Sequence, residues 1–131
     1  MKTFTDLMTE VPAHLIADAE VPVVSGLQRQ GDVIVVPTRR GNVAGAFPVP
    51  AEGIAVVRGE SGGNTHLLIA DGLCSWKPSG TRDATQGTLT IDEGGAAYLI
   101  HPEHGAQGIA PGQYIIRRQR EQAEEIRLVA D

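Results

Sequence analysis

Apolar residues recur along most of this chain in short runs that are separated by glycine-containing turns. The clearest run is Val33 to Val36, a β-branched stretch that Pro37 ends. Runs of this length and composition are typical of β-strands. Further strands are expected at 54–58, 65–70, 73–77, 88–91, 96–100 and 113–120. Short strands at near-regular spacing predict an all-β fold, either a small antiparallel barrel or a sandwich.

The first twenty residues show a helical pattern instead. Phe4, Leu7, Met8 and Val11 recur at three- and four-residue spacing, and Pro12 then interrupts the series. A proline inside a helix removes a hydrogen bond, so we expect a short N-terminal helical segment of one or two turns. The length of 131 residues predicts a single β-rich domain over 1–131, with an N-terminal segment at 1–20 and a tail at 121–131.

The dipeptide Asp71-Gly72 predicts a tight hairpin between the strands 65–70 and 73–77. A two-residue loop would pair residue 70 with residue 73. The expected core face then consists of Leu67, Ile69, Cys74 and Trp76. His66 and Leu68 would lie on the opposite, mixed face, where His66 is not expected to be buried for packing. A slip of one residue would reverse these faces.

Composition limits the classes of partner and compartment. The formal charge is −5, with 11 Lys and Arg against 16 Asp and Glu. A surplus of acidic residues argues against non-specific nucleic-acid binding and against docking on anionic lipid. The single cysteine, Cys74, cannot form an internal disulfide, and no apolar run approaches the length of a membrane span. These features predict a cytoplasmic protein, or a virion protein if a phage encodes it.

The histidines supply the main candidate chemistry. His66, His101 and His104, together with Glu103, could converge as a site for a divalent transition metal. Imidazole and carboxylate groups are common ligands of such ions. Pro102 lies between the second and third histidines, so that pair would need a turn to aim at one point. The alternative is structural, with His101 and His104 bonding to backbone groups of the turn or to Glu103.

The end of the last strand is a second candidate site. Both of its faces begin apolar and become charged at Arg117, Arg118 and Arg120. Arg118 and Arg120 could bind a small anion, because guanidinium groups match carboxylates and phosphates. The alternative is a solvated strand end whose arginines pair with some of the acidic residues.

Nothing in the sequence identifies a catalytic nucleophile. No Gly-x-Ser-x-Gly elbow is present, and Cys74 falls on the expected core face as an inert thiol. We therefore lean against an enzyme and predict a non-enzymatic binding or assembly module. A protein partner or self-association would cover exposed apolar residues such as Leu68 and Leu73. A metal-binding protein or enzyme and a small-anion binder remain the alternatives.

Two segments resemble a known pattern. The stretch from Gly59 to His66 resembles a Gly-Glu-x-x-Gly-His-x-His segment, with Asn64 where the pattern often has histidine. His101 to Gly105, with Pro111 to Tyr114 and 118–121, resembles its C-terminal companion. Together they look like a family of small uncharacterised β-rich proteins of bacteria and phages, with a partial likeness to cupins. The resemblance implies a single β-rich domain in which His66, His101 and His104 belong to one site.

Overall fold

The computed structural model describes residues 1–58, 65–80 and 85–119. These residues form a β-sandwich preceded by one short helix, α1 (Phe4–Leu7). The described strands are β1 (Val23–Val24), β2 (Gln28–Gln30), β3 (Val33–Pro37), β4 (Phe47–Pro48), β5 (Ile54–Val57), β6 (His66–Asp71), β7 (Cys74–Pro78), β8 (Thr85–Ile91), β9 (Ala96–His101), β10 (Gly105–Ile109) and β11 (Gly112–Arg118).

The strands form two sheets. The first sheet has the order β1-β10-β9-β6-β5, and the second has the order β2-β3-β11-β8-β7-β4. Pairing is antiparallel throughout both sheets except between β1 and β10, which run parallel. The sheets do not close into a barrel, so the sandwich form of the predicted all-β fold is the one observed.

The main core lies between the two sheets. Alternate residues of the strands point into it, as expected for a sandwich. Trp76 is 4% exposed, which confirms its predicted burial. The largest fully buried apolar side chains are Leu68, Leu89, Leu99, Ile109 and Ile116.

The N-terminal segment covers the outer face of the first sheet. Helix α1 begins with a capping box in which Thr3 and Asp6 exchange side-chain and backbone hydrogen bonds. A second apolar cluster then joins this segment to the sheet through Met8, Val21, Tyr98, Ile100 and Ala106. The predicted short helical segment is therefore confirmed, and its apolar residues serve to cover β9 and β10.

The predicted hairpin at Asp71-Gly72 is wrong. Strand β6 pairs with β5 and β9, whereas β7 pairs with β4 and β8 in the other sheet. The dipeptide is a corner at which the chain crosses between sheets, and Gly72 supplies its positive φ of 92°. Because no hairpin links β6 to β7, the register argument for β6 fails.

The faces of β6 are consequently reversed. Leu68 is fully buried between the sheets, and His66 is 3% exposed. Leu67 and Ile69 are only partly buried, and Ile69 packs against the N-terminal cluster. Leu68 is therefore unavailable to a partner, while Leu73 remains exposed as predicted.

Two turns that the sequence pattern did not predict shape one end of the sandwich. Gln30 pairs with Val33, so Gly31-Asp32 is the two-residue hairpin between β2 and β3. The stretch that follows His101, for which the sequence predicts no strand before residue 113, contains β10 after a turn at residues 102–104. Glycine is uncommon inside strands, so the sequence of β10 does not resemble a strand. Gly108 is required there because β1 packs so closely that a Cβ would lie 2.5 Å from the Pro22 carbonyl oxygen.

The predicted tail at 121–131 lies outside the described residues. Within the described residues, no helix is long and apolar enough to cross a membrane.

Candidate functional site

Three histidines meet at one end of the sandwich. His66 begins β6, His101 ends β9, and His104 lies in the turn that leads into β10. The ring centroid of His101 lies 4.4 Å from that of His66 and 4.5 Å from that of His104. The rings of His66 and His104 are stacked with centroids 6.3 Å apart. The structure thus brings together the three histidines that the sequence singled out.

The Gly31-Asp32 hairpin adds two polar side chains to this cluster. The Oε1 atom of Gln30 lies 2.9 Å from His66 Nδ1, and the Asp32 Oδ1 atom lies 3.4 Å from His66 Nε2. Gln30 is 2% exposed, whereas the Asp32 side chain is 40% exposed. We call the group formed by Gln30, Asp32, His66, His101 and His104 the histidine end.

Gln30 fixes the tautomer of His66. The Gln30 amide nitrogen donates to the carbonyl oxygens of Leu99, at 2.9 Å, and Gly105, at 3.4 Å. Carbonyl oxygens accept hydrogen bonds only, so the amide oxygen of Gln30 must face His66. His66 therefore has its proton on Nδ1, which donates to Gln30, and the lone pair of neutral His66 lies on Nε2.

His101 stabilises the turn that leads into β10. Its Nδ1 atom accepts hydrogen bonds from the backbone N–H groups of Glu103, at 3.0 Å, and His104, at 3.2 Å. Neutral His101 must therefore have its proton on Nε2. This is the turn hydrogen bonding considered above as the structural alternative. Glu103 takes part through its backbone N–H, while its side chain is exposed.

Burial keeps the imidazoles of His66 and His101 neutral at physiological pH. Loss of hydration, followed by the nearby His101, lowers the pKa of His66 to about 4, although Asp32 acts in the opposite direction. Burial, followed by the neighbouring His104, lowers the pKa of His101. The His66–Asp32 contact is an ion pair only when His66 is protonated. At neutral pH it instead places two hydrogen-bond acceptors against each other.

Arg118 approaches the site from the end of β11. Its Nη2 atom lies 3.9 Å from the Asp32 Oδ2 atom, and the backbone N–H of Gln119 donates to the Asp32 carbonyl oxygen at 2.7 Å. The buried Nε atom of Arg118 has no hydrogen-bond partner among the described residues. Arg120, the other predicted anion-binding residue, lies outside the described residues.

The side chains do not form a ready metal-binding cage. In residues 1–58, 65–80 and 85–119, no three His, Cys, Asp or Glu side chains are already arranged to hold a metal ion. His101 in particular has its Nδ1 lone pair engaged by the turn and a proton on its other nitrogen. Of the two buried imidazoles, His66 is the one with a free lone pair, on Nε2, and this atom lies 3.4 Å from a carboxylate oxygen of Asp32.

Cys74 plays no part in this cluster. It begins β7, at the opposite end of the strands, and its Sγ donates to the Ala96 carbonyl oxygen at 3.3 Å. Burial raises the pKa of its thiol, which agrees with the expected inert role.

The comparison with protein families identifies one match. The family model described as Domain of unknown function (DUF8820) matches residues 29–119. The chain belongs to this family. The match includes every residue of the histidine end and extends to Gln119. No curated protein and no solved structure matches the chain.

Sequence reasoning missed Gln30 and Asp32. Gly31-Asp32 followed by a β-branched run is a hairpin signature, and it would have placed Asp32 at the end of two strands. Nothing in the sequence indicated that Gln30 is buried, since its neighbours Gln28 and Arg29 are polar and solvent-accessible. Gln30 is recognisable only once β2 is known to lie at the edge of a sheet, beside the buried His66.

Proposed function

We propose that this protein is a non-enzymatic binding module and that the histidine end is its binding surface. His66 and His101 provide a buried, rigid base, while Asp32 and His104 are accessible to solvent. Accessible polar groups on a rigid base are typical of binding sites. The side chain with the strongest nucleophilic chemistry, Cys74, is buried away from these imidazoles, which favours binding over catalysis.

The observation that supports this proposal best is the contact between His66 Nε2 and Asp32 Oδ1. At neutral pH both atoms are acceptors, and they face each other at 3.4 Å. The His66 side chain is buried, so facing an acceptor at Nε2 costs stability, whereas the Asp32 side chain is 40% exposed and keeps its contact with water. Costly arrangements are typical of functional sites, where a ligand relieves them.

Asp32→Asn tests the proposal without knowledge of the ligand. The amide group of asparagine can donate to His66 Nε2, so the ligand-free protein should gain about 1 kcal/mol of stability and a few degrees in Tm. The loss of the Asp32–Arg118 pair should matter little because Asp32 is partly exposed. Urea and thermal unfolding at neutral pH measure both effects.

Asp18→Asn is the matched control, because Asp18 is exposed in the N-terminal segment. It makes the same chemical change and should leave stability unchanged. Destabilisation by Asp32→Asn, with no effect of Asp18→Asn, would mean that Asp32 forms an ordinary structural ion pair. That outcome would overturn the proposal.

Self-association is a second candidate function, through the other end of the sandwich. Leu27 and Leu73 are 70% and 74% exposed, and each precedes a strand, β2 or β7, that runs towards the end of the second sheet where Asp32 lies. Large exposed apolar residues favour contact with a partner. Such assembly would suit a component of a phage particle, the setting that the family resemblance suggests.

Sedimentation velocity over a wide range of concentration tests this candidate. The wild type should form a dimer or larger species, and Leu27→Asp with Leu73→Asp should remain monomeric. A wild type that stays monomeric throughout, or a double variant that associates equally, would contradict it.

Anion binding gains less support, because the guanidinium of Arg118 already faces the carboxylate of Asp32.

A further inference from the structure

We infer that the histidine end binds a divalent transition-metal ion through His66 Nε2, the Asp32 carboxylate and His104. This inference rests on the proposed function and names the class of ligand. It differs from the ligand set expected from the sequence, because Asp32 replaces Glu103 and His101 is left out.

The hydrogen bond to Gln30 leaves His66 Nε2 free to bind a metal ion. Gln30 accepts the Nδ1 proton of His66 at 2.9 Å and is held in place by two carbonyl oxygens. Histidines that ligate metals usually donate their second ring nitrogen to a fixed acceptor in this way. His66 is thus already oriented and in the tautomer required for binding through Nε2.

The two nearest ligand atoms have the spacing that a shared metal ion requires. His66 Nε2 and Asp32 Oδ1 lie 3.4 Å apart, which is long for a charge-assisted hydrogen bond of about 2.7–2.9 Å. Two ligands of a tetrahedral zinc ion with bonds of about 2.1 Å are separated by about 3.4 Å. The separation of these two atoms therefore matches the one that a shared tetrahedral ion requires, and the charge of the ion would replace the contact of two acceptors.

His104 is the nearest available third ligand. Its side chain is exposed on the turn, so the ring can rotate once it gives up its contact with the His101 ring. Gly31, the residue before Asp32, leaves room for it, since a Cβ at this position would lie 2.9 Å from His104 Nε2. The described part of the chain contains no complete three-residue site, so the His104 ring must rotate to join the other two ligands.

The donor set indicates which ions should bind. Two imidazoles and one carboxylate suit zinc, nickel or cobalt, whereas magnesium and calcium prefer oxygen ligands. Arg118 lies 3.9 Å from the other Asp32 oxygen, and its positive charge opposes a nearby cation. Selectivity for zinc and nickel over magnesium is therefore expected, and Arg118→Gln should tighten binding.

Calorimetric titration and thermal unfolding of chelator-treated protein test the inference, with zinc, nickel and magnesium as probes. Zinc should bind the wild type and raise its Tm at pH 7.5, and magnesium should do neither. Asp32→Asn and His104→Ala should each weaken zinc binding at least tenfold. His14→Ala, which removes an exposed histidine of the N-terminal segment, is the matched control and should bind zinc like the wild type.

Two results would overturn the inference. One is the absence of zinc binding to the wild type. The other is zinc binding that Asp32→Asn and His104→Ala leave unchanged. Neither result affects the test of the binding module itself, because that test compares the metal-free stabilities of the wild type and Asp32→Asn. A stabilised Asp32→Asn with no zinc binding to the wild type would therefore retain the binding surface and reject the metal.

Discussion

His66 combines a structural hydrogen bond with a free nitrogen on which the proposed binding surface depends. It is buried at the start of β6, donates to Gln30, and keeps its second nitrogen free beside Asp32. A residue selected only for packing would be apolar, and one selected only for a surface ion pair would be exposed. His66 lies between these cases, which explains why the pattern of β6 did not predict its burial.

The lowered pKa of His66 predicts a loss of stability in acid. Its pKa falls from 6.5 to about 4 on folding, so the unfolded chain binds a proton between these values and the native protein does not. Stability therefore decreases as pH falls from 6.5 towards 4, by about 3 kcal/mol for a shift of this size. Above pH 6.5 this residue should contribute no pH dependence.

Urea unfolding at several pH values checks this expectation, with His66→Gln as the comparison because glutamine is neutral throughout the range. The difference in unfolding free energy between wild type and variant should decrease as the pH is lowered through the window. A difference that stays constant between pH 7 and pH 4 would show that His66 has the same pKa in both states.

At the scale of elements, the sequence predicted most strands but not how neighbouring strands pair. The runs at 33–36, 54–58, 65–70, 73–77, 88–91 and 96–100 all overlap observed strands, because each combines apolar content with flanking turn residues. Asp71-Gly72 has the composition of a hairpin turn, yet it connects two sheets. Local turn chemistry permits either outcome, and only the long-range pairing of β6 with β9 decides between them.

The same dependence on long-range pairing explains which residues of the candidate site the sequence predicted. Two of its histidines lie within four residues of each other, so their proximity follows from the chain itself. His66 joins them because β6 and β9 are antiparallel neighbours, with Leu67 opposite Ile100. Gln30 and Asp32 come from the other sheet. Their contribution depends on how the two sheets pack, which no short sequence pattern encodes.

At the scale of the whole molecule, the two ends of the sandwich differ in chemistry. One end collects imidazoles, a carboxylate and a guanidinium, whereas the other exposes Leu27 and Leu73. The apolar core between them is continuous and contains Trp76 and Tyr114. A rigid body with a polar binding end and an apolar end could hold a ligand at one end and assemble through the other.

The proposed binding surface depends on the protonation states at the histidine end, and side-chain NMR measures these states. Long-range nitrogen–proton spectra of labelled protein at neutral pH distinguish the two neutral tautomers and the protonated ring. We expect a neutral His66 with its proton on Nδ1 and a neutral His101 with its proton on Nε2. A protonated His66 at pH 7, or a His66 proton on Nε2, would mean that the contact with Asp32 is already satisfied and that no free lone pair is left for a ligand.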